Sequence, residues 1–143
     1  MNREQLLDRA TQYIAWLNKN PSDAETLSTL MARDISIPVP YPGATPTFEG
    51  SVKFMKALHA ALADVHFEIL DACIDEVQHS VTVLANVTGT HVGFGFPLTV
   101  ADGAREWLGV AGTGKKVDNK CFIMMRVCGF KDRVDISLTL KVD

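Results

Sequence analysis

A chain of 143 residues, of which 47% are hydrophobic and 22% charged, has the length and composition of one globular domain, so we expect a single core and no second module. The net charge is -3 and the lysine and arginine residues are scattered, which argues against nucleic acid as a partner. No apolar run is long enough to span a membrane and the N-terminus lacks a signal-peptide core, so we expect a cytoplasmic protein with no membrane partner.

Two helices are predicted at the start of the chain. Apolar residues recur at intervals of three and four over residues 3–18, which predicts a helix with one apolar face that has ended by Pro21. A second, short helix is expected to run to Leu30, with Ser22 or Asp23 as its N-cap.

A proline-rich segment separates these helices from a third. Four prolines lie within residues 35–46 and predict an edge strand and an irregular loop, because proline cannot donate a hydrogen bond inside a sheet. A helical stripe of apolar residues then follows Gly50, with Ser51 as the expected cap, and continues to about Asp64.

The C-terminal half has the period of β-strands. A turn is expected near residues 76–80, a glycine-rich connection over 89–114 and another turn at 129–132. The predicted strands are 67–73, 81–88, 117–127 and 133–142. Three helices followed by a meander of four strands indicate an α+β fold in which the helices cover one face of the sheet.

Four short sequences, in this order, resemble the landmarks of SnoaL-like proteins, a branch of the nuclear transport factor 2-like fold. They are YIAWLN at 13–18, FEG at 48–50, GTHVG at 89–93 and TGKKV at 113–117. Their spacing spans nearly the whole chain, so residues 1–143 are interpreted as a single SnoaL-like domain. The group includes polyketide cyclases, ketosteroid isomerase, scytalone dehydratase and limonene epoxide hydrolase, and also members that bind without catalysing.

The resemblance implies a cone-shaped, curved antiparallel sheet that encloses an apolar pocket with its three N-terminal helices. It implies a homodimer packed through the outer face of the sheet. It also implies an isomerase, cyclase or dehydratase that needs no cofactor and acts by acid/base chemistry on a bulky apolar carbonyl compound or polyketide-like metabolite.

The family's catalytic residues carry over only in part. Asp135 matches an acidic residue that acts on the substrate in SnoaL-like cyclases, but the histidine that accompanies it falls near Lys120 or Cys121. Tyr13 matches the hydrogen-bond-donating tyrosine of ketosteroid isomerase. The general base of that enzyme would fall near Val39, where there is no carboxylate, which argues against isomerisation by that base.

Two of the candidate catalytic residues also have structural interpretations. Asp135 would need a partly dry pocket to titrate near neutral pH, and it could instead be a solvated carboxylate paired with Arg133 or Lys131. His91 could shuttle protons at the pocket rim, or it could serve the fold as part of the GTHVG landmark.

A second set of residues is expected to line the pocket. Alternation places Asn119 beside Ile123 and Met125, and Asp71 on one strand face with Phe67. If that face is concave Asp71 is a buried carboxylate; if it is convex it lies on the surface or in an interface. The full set of pocket candidates is Trp16, Phe54, Asp71, Trp107, Asn119, Ile123 and Met125.

Other motifs are set aside. The sequence at 109–116 lacks the final Ser or Thr of a phosphate-binding loop and precedes a strand, so no nucleotide cofactor is expected. The four histidines show no metal-ligand spacing, so no metal site is expected. An odd number of cysteines in apolar segments predicts buried free thiols, at Cys73, Cys121 and Cys128.

Two classes of function therefore remain open. The first is the acid/base enzyme, in which Asp135 moves a proton and Tyr13, His91 or Asn119 stabilises charge on a substrate oxygen. The second is a non-catalytic domain that binds a small apolar ligand or dimerises. A plugged version of the second would fill its cavity with large residues such as Phe122, Met124 and Met125.

Overall fold

The computed structural model describes residues 1–20, 22–31, 47–93, 97–99, 105–107, 112–128 and 133–139. For 97–99, 105–107, 127–128 and 133–139 the description is of the backbone. The proline-rich segment 35–46 and the turn 129–132 lie outside these ranges, and so do the last residues of the strand predicted at 133–142.

The described ranges contain three helices followed by six strands. The helices are α1 (Arg3–Asn18), α2 (Ala24–Leu30) and α3 (Phe48–Ala61). The strands are β1 (Leu62–Asp75), β2 (Ser80–His91), β3 (Pro97–Thr99), β4 (Arg105–Trp107), β5 (Lys116–Cys128) and β6 (Arg133–Thr139). None of these helices is both long enough and apolar enough to cross a membrane.

The four long strands form one antiparallel sheet in the order β1-β2-β5-β6. This confirms the predicted α+β meander. The strands β3 and β4 form a separate two-stranded ribbon within the glycine-rich connection, where no strand was predicted. Three-residue strands are too short to show a recognisable alternation in the sequence.

Helix α1 has the predicted boundaries and the predicted apolar face. A capping box joins Asn2 and Gln5 at its start, and the Arg3 backbone N–H donates to the Glu76 carboxylate at 2.7 Å. That bond ties the helix to the turn between β1 and β2. The buried residues of α1 are Leu6, Ala10, Tyr13, Ile14, Trp16 and Leu17.

The second helix is capped as predicted and the third is not. Asp23 Oδ1 accepts from the Thr26 N–H at 2.6 Å at the start of α2. Helix α3 begins four residues earlier than expected, because Thr47 Oγ1 accepts from the Gly50 N–H at 3.1 Å and so acts as its N-cap in place of Ser51. The helix also ends earlier, at Ala61.

Two β-bulges shape the edge strand β1. The first lies between Ala63 and His66, where Asp64 has φ 54° and its Oδ1 accepts from the Thr90 N–H at 3.2 Å. The second lies between Ile69 and Asp71, which inserts Leu70 as an unpaired residue. Each bulge reverses the faces to which the following residues belong.

The second bulge corrects two predictions. Ile69 pairs with the buried Ala85, whereas Asp71 pairs with Leu84 on the opposite face. Asp71 is exposed and its Oδ1 accepts from the Ala72 N–H at 2.8 Å. The same reversal makes Cys73 an exposed free thiol, so Asp71 is not a pocket residue and Cys73 is not buried.

The side chain of Asn18 joins the end of α1 to the free edge of β1. Its Nδ2 donates to the Phe67 carbonyl at 2.9 Å and its Oδ1 accepts from the Phe67 N–H at 2.7 Å. One residue earlier, the Leu17 carbonyl accepts from His59 Nε2 of α3 at 2.9 Å. These bonds hold the C-terminal end of α1 against both β1 and α3.

Candidate functional site

The helices cover only part of the sheet face that they pack against. Along β5 the residues on this face change from fully buried at Met125, Ile123 and Cys121 to exposed at Asn119 and half-buried at Val117. On the neighbouring strand β2, Val87, which pairs with Asn119, is half-buried between the buried Ala85 and Gly89. Along β5 this helix-facing surface is thus closed at one end and open at Asn119.

Tyr13 of α1 lies near Cys121, the last buried position of β5 before the exposed Asn119. Its side chain is 7% exposed and stacks on Trp16 with ring centroids 5.9 Å apart. Burial raises the pKa of its hydroxyl above the usual range, and the nearby Cys121 raises this pKa further. The Tyr13 hydroxyl is therefore neutral at physiological pH and is a hydrogen-bond donor.

The Tyr13 hydroxyl has no hydrogen-bond partner among the described residues. The Tyr13 side chain is 7% exposed, so its hydroxyl lies in a largely enclosed setting, where a hydroxyl usually has a hydrogen-bond partner.

The histidine of SnoaL-like cyclases falls near Lys120 or Cys121 of this chain. The register decides between these two positions, because Cys121 pairs with the buried Ala85 while Lys120 is exposed on the outer face. Burial raises the pKa of the Cys121 thiol to about 11. The thiol is therefore protonated at neutral pH and is not an activated nucleophile.

Several predicted pocket residues belong to the packed core. Ile123 and Met125 share the face of Asn119 as predicted, but their side chains are 0% and 1% exposed. Trp16 is 2% exposed and its Nε1–H donates to the Asp23 carbonyl at 2.8 Å. Phe54 is half-buried and packs against the same core.

A plugged cavity would need Phe122 and Met124 to fill it, and these two residues do not. Their side chains are 43% and 49% exposed, because they alternate with Cys121, Ile123 and Met125 and lie on the outer face of the sheet.

The contacts of His91 are those of a structural residue. Its Nδ1 is 3.1 Å from Thr113 Oγ1 and 3.4 Å from the Thr113 N, and its backbone pairs with Lys115 and Gly114. His91 is six residues along β2 from Ala85, the partner of Cys121, which is about 20 Å of strand. The structure does not bring it to Tyr13, and its catalytic role stays a prediction.

Two candidates have side chains outside the described residues. Trp107 is the last residue of β4. Asp135 is the register partner of Arg126, whose side chain is exposed on the outer face, while Ile136 is the partner of Met125. The catalytic role of Asp135 also stays a prediction.

The helix-facing positions of β5 carry no carboxylate or imidazole. They are Val117, Asn119, Cys121, Ile123 and Met125. On β2 the alternation that places Val87 on this face also places His91 there. In the part of the chain that the structure describes, no group of three or more His, Cys, Asp or Glu residues could hold a metal ion.

Two shallow grooves on the helical layer are separate from this surface. One, of about 270 Å³, lies between α2 and α3 beside Phe48 and Lys53. The other, of about 290 Å³, lies between α1 and α2 beside Gln12 and Lys19. Neither is lined by Tyr13 or Cys121.

Sequence reasoning did not identify Cys121 as the neighbour of Tyr13. The signal was present, because Cys121 continues the alternation that was used to place Asn119 beside Ile123 and Met125. The contact itself depends on how α1 crosses the sheet, which has no local signature.

No protein-family model matches the sequence, and no curated protein matches it either. The fold, in contrast, is that of SnoaL-like proteins. TsrD from Streptomyces laurentii matches with a TM-score of 0.69 and 13% identity, over 96% of this chain and 90% of TsrD. A protein assigned as a SnoaL-like polyketide cyclase from Jannaschia sp. CCS1 matches with a TM-score of 0.68 and 15% identity, over 96% of this chain and 89% of its own.

IdmH from Streptomyces antibioticus, assigned as a polyketide cyclase, matches with a TM-score of 0.66 and 22% identity, over 94% of this chain and 90% of its own. At these identities the likeness concerns the fold. The resemblance seen in the sequence is confirmed at that level.

Proposed function

We propose that this protein is a cofactor-independent cyclase or isomerase that binds a bulky apolar carbonyl compound on the open part of its helix-facing sheet surface. The observation that carries the proposal is the buried Tyr13 hydroxyl near Cys121, which is protonated and can donate a hydrogen bond. The polyketide cyclase assignments of two structural neighbours support the same class of reaction.

An intramolecular cyclisation fits this surface better than a reaction that needs a strong base. The substrate carries both of its reacting groups, so the protein contributes orientation and exclusion of water. The Tyr13 hydroxyl donates a hydrogen bond to the carbonyl oxygen as negative charge develops on it. This requires no carboxylate or imidazole at the described helix-facing positions.

The first test is Tyr13→Phe, which removes only the hydroxyl. We expect turnover of a converted ketone or polyketide-like substrate to fall by about 10²–10³-fold, the usual effect of losing one donor to a developing oxyanion. The free energy of unfolding should change by no more than about 1 kcal/mol, because the hydroxyl has no described partner in the protein.

Turnover is measured by product analysis and stability by thermal denaturation, with Asp71→Asn as the control. Asp71 is exposed on the outer face, so this variant should match the wild type. Unchanged turnover in Tyr13→Phe would remove Tyr13 from the mechanism.

Asp135 remains the proton-transferring residue that the family resemblance predicts. If Asp135 transfers the proton, Asp135→Asn abolishes turnover and leaves ligand binding intact. The pH profile of turnover then loses one ionisation. If Asp135→Asn is as active as the wild type, the reaction depends on orientation and on Tyr13 alone.

A non-catalytic binding domain is the second candidate. It is supported by the lack of a carboxylate or imidazole at the helix-facing positions of β5. Such a protein would bind the same compounds through Tyr13 and release them unchanged.

We also propose a homodimer packed through the outer face of the sheet. Leu70, Phe122 and Met124 are 46%, 43% and 49% exposed there, and an exposed apolar surface on a sheet commonly marks an interface.

We expect the double variant Phe122→Glu, Met124→Glu to be monomeric by sedimentation while remaining folded. Val77→Glu changes an 85% exposed residue in the turn after β1 and should leave the dimer intact. A monomeric wild type would contradict this prediction.

A further inference from the structure

The outer face of the sheet has different charges on the two strands that flank β2. On both strands exposed residues alternate with more buried ones, so the exposed ones share this face. On β1 they include His66, Glu68, Asp71, Cys73 and Asp75. On β5 they include Lys116, Asp118, Lys120, Phe122, Met124 and Arg126. The charge on β1 is therefore mainly negative, and that on β5 is mainly positive.

The register aligns these residues in rows across β2. Glu68 and Lys120 are both partners of Asn86, so they lie in one row with their Cα atoms about 10 Å apart, which is two strand spacings. Two further rows join complementary groups in the same way, and they are His66 with Asp118 and Asp75 with Arg126. In the chain itself, β2 separates the two members of each row.

Apolar side chains lie between the charged rows. Phe122 and Met124 of β5 are 43% and 49% exposed, and Leu70 at the β1 bulge is 46% exposed. Leu84 of β2 is half-buried in the row of Phe122. An apolar centre with charged groups around it is the usual composition of a protein–protein interface.

Two copies of this face can pack with their strands aligned in two ways, which differ in the direction of the two-fold axis. An axis across the strands places β1 over the partner's β1 and β5 over the partner's β5, so that like charges meet on both strands. An axis parallel to the strands and centred on β2 places β1 over the partner's β5 and keeps each row at the same height. Only the second arrangement brings opposite charges together.

We infer that a second copy of this chain docks on the outer face with β1 over the partner's β5. Glu68 then pairs with the partner's Lys120, and Cys73 lies over the partner's Met124. The inference rests on the homodimer proposed above and specifies its arrangement. Sheets packed face to face are about 10 Å apart and rotated by about 30°, a gap that the long side chains of glutamate and lysine span. The two-fold axis forms each pair twice.

The first arm of the test reverses charges and measures the dissociation constant of the dimer by sedimentation. Glu68→Lys and Lys120→Glu should each raise this constant at least tenfold, because each places like charges together at two positions. The double variant Glu68→Lys, Lys120→Glu restores the opposite charges and should return to within threefold of the wild type. Glu25→Lys makes the same change of charge at an exposed position of α2 and should also stay within threefold.

The sign of the effect decides between the two arrangements. If β1 lay over the partner's β1, Glu68→Lys would relieve repulsion and tighten the dimer. Tightening by Glu68→Lys, or a double variant as weak as the single ones, would overturn the inference. The three substituted residues are exposed, so the variants should remain folded, and thermal denaturation of each one checks this.

The second arm locates the strands by cross-linking two different chains. The first chain keeps Cys73, which is an exposed thiol, and the second carries Cys73→Ser with Met124→Cys. Both carry Cys128→Ser to remove another thiol, and Cys121 is buried. A bismaleimide with a short spacer should join the two chains in their mixture at least tenfold faster than it joins either chain to itself.

Equally fast cross-linking of either chain alone would overturn the inference, since it would place β1 over the partner's β1 or β5 over the partner's β5. So would a mixture that sediments as a dimer and does not cross-link. The results also separate this inference from the proposals on which it rests. A monomeric wild type refutes the homodimer and its arrangement together, whereas a dimer that Glu68→Lys tightens refutes the arrangement alone. Turnover is tested independently by Tyr13→Phe.

Discussion

Replacing Asn18 with alanine should lower the free energy of unfolding by about 2–4 kcal/mol, because two hydrogen bonds to the backbone of β1 are lost at once. The Asn18 amide occupies the N–H and the carbonyl of Phe67 at 2.7 Å and 2.9 Å. Phe67 itself is 6% exposed, so its backbone groups would lose their partner in a place that water reaches poorly.

Chemical and thermal denaturation measure this effect, and two variants serve as comparisons. Asn18→Asp retains an acceptor for the Phe67 N–H but loses the donor to its carbonyl, so it should also be destabilised. Gln12→Ala alters an exposed residue of the same helix and should change stability by no more than about 0.5 kcal/mol. An Asn18→Ala variant as stable as Gln12→Ala would show that the two hydrogen bonds of the Asn18 amide contribute nothing to the free energy of unfolding.

Replacing Gly93 with alanine is the second change for which a large effect is expected, about 2–3 kcal/mol of destabilisation, in the upper range for an overpacked site. A Cβ atom at Gly93 would lie 2.4 Å from the Ala60 carbonyl oxygen and 3.1 Å from the Ala61 Cα. The Ala61 carbonyl accepts from the N–H groups of both Val92 and Gly93, which holds the chain against the end of α3. The clash is with backbone, so no side-chain rotation relieves it.

Gly114 provides the matched comparison, because glycine is favoured there by the backbone conformation and not by a lack of space. Nothing lies within 4 Å of a Cβ placed there, but its φ is +66°. Gly114→Ala should therefore cost only about 1–2 kcal/mol, and Gly114→Asn less, because asparagine tolerates the left-handed conformation. If Gly93→Ala proved no more costly than Gly114→Ala, the close approach to α3 would be relieved by a small backbone shift.

The sequence predicted the elements of the fold because their signals are local. The apolar period of α1 and the alternation in β2 and β5 each lie within a few neighbouring residues, and the structure confirms all three. The start of α3 was wrong by four residues because Gly50 resembles a break, whereas the hydrogen bond that its N–H donates to Thr47 makes it part of the first turn.

The candidate site was predicted less completely, for a physical reason. Alternation assigns faces only while a strand remains regular, and the extra residue at Leu70 reverses the faces of Asp71 and Cys73 without any mark in the sequence. Tyr13 was identified through its resemblance to the family, but its closeness to Cys121 was not.

The sequence by itself determined the α+β order of helices and strands, the apolar faces of the helices and the choice of Tyr13 and Asn119 as candidate site residues. Only the tertiary structure decided which positions of the sheet the helices cover, and that Cys121 is the last buried position of β5 before the exposed Asn119. These features depend on the crossing of α1 over the sheet and on the bulges of β1, which arise from contacts between residues far apart in the chain.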